Sequence, residues 1–136
     1  MTGGGPVGDD PGRKRLDVRR RRLRSGLYAE RLAAVALMLR GYRIAARRLK
    51  TPYGELDIVA IRRGRLGRIA FVEVKRRNSI AEAQAALSPR QGQRIARAAD
   101  YWLQRHPGDQ AREVGLDAVL VVPWRWPHHI RNALDP

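Results

Sequence analysis

Two neighbouring segments of alternating residues place the strongest limit on what this chain can fold into. Residues 54–61 and 69–75 are rich in β-branched and aromatic residues, and a short loop with glycine at each end, residues 64–67, separates them. Such a pattern is typical of a β-hairpin, in which two antiparallel strands are joined by a short turn. We therefore predict a hairpin with a three-residue loop centred on Arg65.

The register of this hairpin would bring acidic side chains together. Counting outward from the loop, Asp57 falls opposite Glu73, and Glu55 falls opposite Lys75. The aliphatic residues between them would share the other face: Leu56, Ile58, Val72 and Val74. Carboxylates that face each other across two strands lie about 4.5 to 5.5 Å apart at Cβ and repel. Because Mg²⁺ or Mn²⁺ would offset this repulsion, the pattern predicts a metal site.

Periodic segments predict further elements around the hairpin. These are a helix over about 25–40, a strand over 42–49, a short helix over 81–87, a helix over 89–106, a strand over 114–122 and an edge strand near the C-terminus. The first helix would bury the residues that share one face: Leu27, Leu32, Val35, Ala36 and Leu39. Val59, Ile61 and Phe71 lie on the acid-bearing face of the hairpin, so both of its faces need cover. We expect an α/β fold, a mixed sheet of about four or five strands flanked by helices on both faces.

Length and composition limit the domain organisation. The 136 residues suit one domain, which we place at residues 25–136. Residues 1–24 are a glycine-rich and then strongly basic arm that we expect to be disordered or partly helical. The chain has no cysteine, which fits the reducing cytoplasm. The apolar run from residue 32 to 39 is too short to span a membrane, so we expect no membrane partner.

The charge of the chain indicates a polyanionic partner. The formal net charge is +15, and arginines supply much of the excess. A positive field of this size favours nucleic acid, whose phosphates match the arginine guanidinium geometry. A GC-rich coding sequence is an alternative source of arginine. The candidate phosphate-binding residues are Arg20, Arg21, Arg22, Arg76, Arg77, Arg90 and Arg94.

Several motifs in this order resemble those of a known family. An Ala-Glu pair on the first helix is followed by Gly-Glu-Leu-Asp-Ile-Val-Ala, Phe-Val-Glu-Val-Lys-x-Arg and a helix with Arg-x-x-x-Ala-x-x-Tyr-Trp-Leu. Over about residues 26–134 the chain resembles the YraN family of uncharacterised bacterial proteins. That family is similar to the restriction-endonuclease-like PD-(D/E)xK nucleases, and most like archaeal Holliday junction resolvases among them.

The resemblance implies roles for individual residues. Asp57 and Glu73 match the metal-binding acids, and Lys75 matches the catalytic lysine. Glu30 matches a helix glutamate that resolvase-like members place near the metal. Two supporting positions are also implied: Glu55 and Gln91. The second of these stands where a lysine is expected, and its amide brings hydrogen bonds without charge.

These observations predict a metal-dependent endonuclease that hydrolyses nucleic-acid phosphodiesters with Mg²⁺ or Mn²⁺. The resemblance implies branched DNA as substrate, DNA rather than RNA, and a homodimer that makes paired cuts. An alternative is a non-catalytic nucleic-acid-binding or adaptor protein on the same fold. A third reading is an electrostatic scaffold that works through the basic arm.

Two acids outside the hairpin have structural as well as functional interpretations. Glu30 is either a helix-surface acid paired with an arginine or a third carboxylate beside the hairpin. Asp117 precedes an apolar run, which favours a structural hydrogen-bond acceptor at the start of a strand.

Histidines and tryptophans near the C-terminus are weaker candidates. His128 and His129, with His106, lack a convincing ligand spacing for zinc, so we predict surface side chains. Trp124 and Trp126 flank an arginine and could stack on bases. Packing of these rings against the core is the interpretation that the sequence favours.

Overall fold

A five-stranded sheet with helices on both faces is built by residues 10–64 and 67–135, the part of the chain that the computed structural model describes, apart from the side chains at positions 22, 23 and 25. The elements are α1 (Pro11–Leu39), β1 (Tyr42–Thr51), β2 (Gly54–Arg62), β3 (Ile69–Arg76), α2 (Ile80–Ala85), α3 (Pro89–Arg105), a 3-10 turn (Pro107–Asp109), β4 (Val114–Val121) and β5 (His128–Ile130). The strand order is β1-β2-β3-β4-β5, with β3 and β4 parallel and the other neighbours antiparallel. The predicted mixed α/β sheet is confirmed.

The hairpin of β2 and β3 forms with the predicted register. The two strands pair antiparallel as far as Ile58 opposite Val72. One step further along this register, Asp57 stands next to Glu73. The predicted loop centre, Arg65, lies outside the described residues. Alternation of side chains and the short loop were therefore sufficient to set the pairing.

Helix α1 covers one face of the sheet through small residues. Ala29, Ala33 and Leu37 are buried against aliphatic side chains of β2, β3 and β4. The predicted apolar face was wrong at Val35 and Leu39, which are 43% and 72% exposed. Because alanine side chains are short, they let the helix backbone lie close to the sheet, and the larger side chains of the neighbouring positions point outward.

Helix α3 covers the opposite face. Its residues Ile95, Ala99 and Trp102 are buried against Val59 and Phe71 of the hairpin, as their spacing predicted. Apolar side chains thus cover both faces of the β2–β3 hairpin along most of its length.

The alternation of β2 is interrupted where the acids lie. Leu56 was predicted to share a face with Ile58, but it is buried on the α3 side while Ile58 is buried on the α1 side. On the neighbouring strand β1, Arg48 has a φ of 48°, outside the strand conformation, between the pairs Arg47–Ile58 and Leu49–Leu56. Because the chain no longer alternates at this step, Asp57 stands at an irregularity of the sheet.

Helix α1 begins much earlier than predicted. The Asp10 carboxylate accepts a hydrogen bond from the Gly12 backbone N–H at 3.0 Å, and Pro11 occupies the first helical position. The helix therefore runs across the boundary expected at residue 24, and the side chains from 10 to 21 are exposed. Among the described residues, no helix has both the length and the apolar character needed to cross a membrane.

The elements that follow the hairpin agree with the sequence. Ser79 and Ser88 cap α2 and α3 through their hydroxyl oxygens, and β5 adds an edge strand beside β4. The turn between β4 and β5 differs from expectation, because Trp124 and Trp126 are exposed rather than packed on the core.

A buried polar network supports β4 and β5. Asp117 is fully buried and accepts hydrogen bonds from Arg68, from His129 and from the Asn132 backbone N–H. Its predicted structural role is confirmed. The surface assignment of His129 was wrong, since its side chain is 2% exposed and packs edge-on against Tyr42.

Candidate functional site

The candidate site lies at the end of the sheet where β2 begins and β3 ends. The backbone pairing of β2 and β3 ends at Ile58 and Val72. Beyond it, the Asp57 side chain supplies the acceptor in place of the backbone, since its Oδ2 accepts a hydrogen bond from the Val74 backbone N–H at 2.8 Å. The carboxylate is thereby fixed where the two strands separate, next to Glu73 on the neighbouring strand.

The environment of Asp57 disfavours its charged form. Burial raises the pKa of Asp57, and the negative charges of Glu73 and Glu30 raise it further. The hydrogen bond from Val74 and the positive charge of Lys75 act in the opposite direction, and the resulting pKa is about 7. Its protonated and charged forms are therefore both populated near neutral pH.

Two cations hold Glu73, the second acid. Its side chain is 9% exposed, with Lys75 Nζ at 3.1 Å from Oε1 and Arg94 Nη2 at 3.5 Å from Oε2. Arg94 also donates a hydrogen bond to the Glu55 carbonyl oxygen at 3.0 Å. It passes directly over Gly54, where a Cβ would lie 2.8 Å from its Nη1 atom and the φ of 117° already requires glycine. Arg94 therefore connects helix α3 to the end of the hairpin that carries the acids.

Lys75 is positioned by β3 and by the start of α3. Its side chain is 13% exposed, and besides Glu73 it meets the Gln91 amide. In the orientation that satisfies both ends of that amide, Gln91 accepts from Lys75 Nζ at 2.7 Å and donates to the Ala86 carbonyl at 2.9 Å. The structure thus brings Gln91, predicted as a supporting residue, into contact with Lys75.

Glu30 borders the site from α1 and is paired with arginines. Arg47 Nε lies 3.0 Å from its Oε1, and Arg48 Nε lies 3.4 Å from its Oε2. The predicted pairing is confirmed, but the residue is 6% exposed and so is not on the helix surface. Glu30 also acts on Asp57 through its charge, which agrees with a position beside the hairpin.

A cleft of about 1140 Å³ opens from Asp57 between α1 and the end of the sheet. Three of the predicted phosphate-binding residues line it: Arg21, Arg76 and Arg77. A smaller cavity of about 540 Å³ on the α3 side is lined by Arg90 and Arg94. Arg20 is exposed on α1, and the side chain of Arg22 lies outside the described residues.

Glu55 is exposed and lies opposite Lys50 in the pairing of β1 with β2. Its predicted place opposite Lys75 is not among the paired positions of β2 and β3.

The arrangement of acids, lysine and arginines can be compared with known proteins. The model of the uncharacterised protein family UPF0102 matches residues 29–121. The chain belongs to the UPF0102 family. This match confirms the resemblance to the YraN family, and it spans every acid and the lysine of the candidate site.

Relatives of the same name cover most of the chain. A UPF0102 protein of Nitrobacter winogradskyi is 51% identical over 82% of this chain and 92% of its own length. One from Rhodopseudomonas palustris is 53% identical over 82% of both chains. One from Mesorhizobium japonicum is 49% identical over 85% of this chain and 90% of its own length. These relatives therefore cover more than four fifths of the chain.

The acids of this UPF0102 protein suit a cation that keeps much of its water. Within residues 10–64 and 67–135, no group of three or more histidine, aspartate and glutamate side chains is placed to hold a metal ion. Glu30, predicted as a third ligand, has both oxygens engaged by arginines. Asp57 and Glu73 remain adjacent, and two carboxylates with water ligands are a common way to bind Mg²⁺.

Sequence reasoning missed the cations that serve these acids. Arg47 and Arg48 were not singled out, and Arg94 was predicted to contact phosphate rather than Glu73. A buried acid on a helix requires a cationic partner, so Glu30 was the one local indication that arginines such as Arg47 and Arg48 would lie beside it. Nothing in the local sequence indicates the contact between Glu73 and Arg94, which depends on how α3 docks.

Proposed function

We propose that this protein is a metal-dependent endonuclease that hydrolyses nucleic-acid phosphodiesters. The observation that carries this proposal is the meeting of Asp57, Glu73 and Lys75 at the point where β2 and β3 separate. Of the three, Asp57 also lines the arginine-rich cleft. The resemblance of the family motifs to restriction-endonuclease-like nucleases supports the same assignment.

The two acids would be the metal ligands. Asp57 and Glu73 would hold Mg²⁺ or Mn²⁺, which supplies charge stabilisation at the phosphoryl oxygens and a bound water of lowered pKa. The raised pKa of Asp57 supports this role, because burial and the neighbouring charge of Glu73 disfavour its charged form, which a bound cation would stabilise. Glu73 would exchange its contact with Arg94, the longer of its two ion pairs, for the cation.

Lys75 would act directly on the reacting phosphate. Held by Glu73 and Gln91, its ammonium group has a fixed position beside the acids. From there it can orient the attacking water and stabilise the negative charge that develops on the phosphoryl oxygens. Gln91 would be a positioning residue that acts through Lys75.

The surroundings of the acids fit an extended polyanion. Arg76 ends β3 and Arg77 follows it, and Arg21 of α1 lines the same cleft. The exposed basic half of α1 extends the positive surface from this cleft. Such contacts fix a phosphate backbone in place without reading its sequence. We therefore propose a substrate chosen by structure, with branched DNA and a homodimer suggested by the resolvase resemblance.

Cleavage assays test this function. The wild type should cut at least one of a set of labelled single-stranded, duplex, flap and four-way-junction DNAs in Mg²⁺ or Mn²⁺. Asp57→Asn and Lys75→Ala should each lower the rate roughly 100-fold or more, because each removes a group that acts on the charged phosphate. Rates are measured by gel electrophoresis under single-turnover conditions.

A matched variant controls for a simple change in charge. Asp100→Asn makes the same substitution at an exposed position of α3 and should leave cleavage unchanged. Binding of DNA by the wild type without cutting in either metal would contradict the nuclease proposal and favour the adaptor alternative.

A further inference from the structure

The turn between β4 and β5 exposes two large aromatic side chains. Trp124 is fully exposed, with a relative accessibility of 102%, and Trp126 is 60% exposed. The remaining tryptophan of the chain, Trp102, is 8% exposed and belongs to the core. Neighbouring exposed aromatics on a surface otherwise rich in charge are typical of a binding site.

The backbone holds the first of these rings outward. Trp124 has a φ of 65°, in the left-handed region that bulky residues seldom adopt. The turn is closed by a hydrogen bond from the Arg125 backbone N–H to the Val122 carbonyl at 3.3 Å, and prolines stand on both sides at positions 123 and 127. These restraints favour a preformed projection of the two rings over free movement.

The turn projects from the same end of the sheet as the candidate site. β4 is parallel to β3, with Leu120 next to Lys75 and Val121 next to Arg76. The Arg77 backbone N–H also donates to the Val121 carbonyl at 3.2 Å. Three residues span at most about 10 Å, so position 124 stays within that distance of the strand end. The turn that carries the tryptophans therefore begins on the strand next to the proposed catalytic lysine.

The charges around the rings match a nucleic acid. Arg125 lies between the two tryptophans, and the exposed Arg76 and Arg77 lie across the strand end. An aromatic ring beside arginines provides a face for a base and cations for the phosphates on either side of it. In a duplex, the faces of the bases are already stacked on one another, so only unpaired nucleotides can use such a surface.

We propose that Trp124 and Trp126 form a stacking surface for unpaired bases, and that this surface places the single-stranded part of a nucleic-acid substrate beside Lys75. The inference rests on the proposed function and narrows its substrate class. It selects nucleic acids with unpaired nucleotides next to the cleaved bond, such as flaps and open branch points, over continuous duplex.

Binding in the absence of divalent metal tests the stacking surface separately from cleavage. With EDTA present, a single-stranded oligothymidine should quench the tryptophan fluorescence of the wild type. Trp124→Ala with Trp126→Ala should weaken binding of this strand about tenfold or more, and binding of the same strand annealed to its complement by less than about twofold. Affinities are measured by fluorescence anisotropy of a dye on the DNA.

Two variants serve as controls. Trp124→Phe with Trp126→Phe keeps both rings aromatic and should retain most of the affinity for the single strand. Leu39→Ala removes an exposed apolar side chain at the opposite end of the sheet and should change neither affinity. Thermal unfolding of each variant establishes that the fold is intact.

The possible failures are distinguishable. Equal loss of single-strand and duplex binding in the alanine variant, or no loss at all, would overturn the stacking surface while leaving the proposed nuclease standing. Loss of binding to phosphatidylserine vesicles with unchanged single-strand binding would overturn it in favour of a membrane contact. A wild type that binds neither nucleic acid would overturn both proposals.

Discussion

Replacing Asp117 with alanine is expected to lower the free energy of unfolding by about 3 to 5 kcal/mol, because it leaves the buried Arg68 guanidinium without its counter-charge. The Arg68 side chain is 3% exposed, and its Nη2 lies 2.7 Å from Asp117 Oδ1. The substitution also removes the acceptor of His129 and of the Asn132 backbone N–H. Urea denaturation monitored by circular dichroism measures the change.

The same pair predicts a loss of stability in acid. Burial by itself would raise the pKa of Asp117, but the hydrogen bonds from Arg68, His129 and Asn132 lower it to about 2. Since the unfolded value is 3.8, this contribution is complete above about pH 4 and is lost as the pH falls towards 2. The alanine variant should lack this part of the pH dependence.

A second acid near Arg68 provides the control. Glu113 Oε1 lies 3.8 Å from Arg68 Nε, but its side chain is 73% exposed. Glu113→Ala should therefore cost less than about 1 kcal/mol. If Asp117→Ala were as mild as this control, the network would not support the β4–β5 region as argued.

Replacing Asp57 with asparagine is expected to stabilise the protein at pH 8 by about 2 to 4 kcal/mol in the absence of metal. The pKa of Asp57 is about 7 in the folded protein, whereas its ordinary value, which we take for the unfolded chain, is 3.8. Folding therefore disfavours the charged form of this side chain. Asparagine has nearly the same shape and keeps an oxygen for the Val74 N–H, but it carries no charge. The same substitution would thus raise the stability of the protein and lower its activity.

Because the pKa of Asp57 is raised by folding, the stabilisation gained by Asp57→Asn depends on pH. The folded state binds the extra proton between about pH 4 and pH 7, so the penalty is absent below this range and complete above it. The advantage of Asp57→Asn should shrink towards zero near pH 4, whereas Asp100→Asn should show no such trend. Equal stability of wild type and Asp57→Asn at pH 8 would contradict the unfavourable environment of this acid.

Local rules were sufficient for much of the fold. The alternation of 54–61 and 69–75 predicted the register that pairs Ile58 with Val72, because a slip of one residue would mix the acids with the aliphatic face. The predicted start of a helix at residue 89 agrees with α3, which Ser88 caps and Pro89 begins. Asp10 and Pro11 carried the same kind of information for α1, but the basic run after them was interpreted as an arm.

The features that sequence could not predict depend on docking between distant elements. The contacts of Glu73 with Arg94 and of Glu30 with Arg47 join residues on different helices and strands. The buried face of α1 is set by alanines at Ala29 and Ala33, which hydrophobic periodicity ranks below leucine. The burial of each such residue follows from the distance between the packed elements, which no local pattern contains.

Calorimetric titration of the metal-free protein with Mn²⁺ at pH 8 tests the central claim most directly, because it asks whether Asp57 and Glu73 form a cation site. We expect the wild type to bind Mn²⁺ and Asp57→Asn to bind it at least about tenfold more weakly, while Asp100→Asn behaves as the wild type. At pH 7, binding should also release protons from the wild type, since Asp57 is then partly protonated. Equal Mn²⁺ affinity in wild type and Asp57→Asn, or no binding by the wild type at millimolar Mn²⁺, would contradict the account.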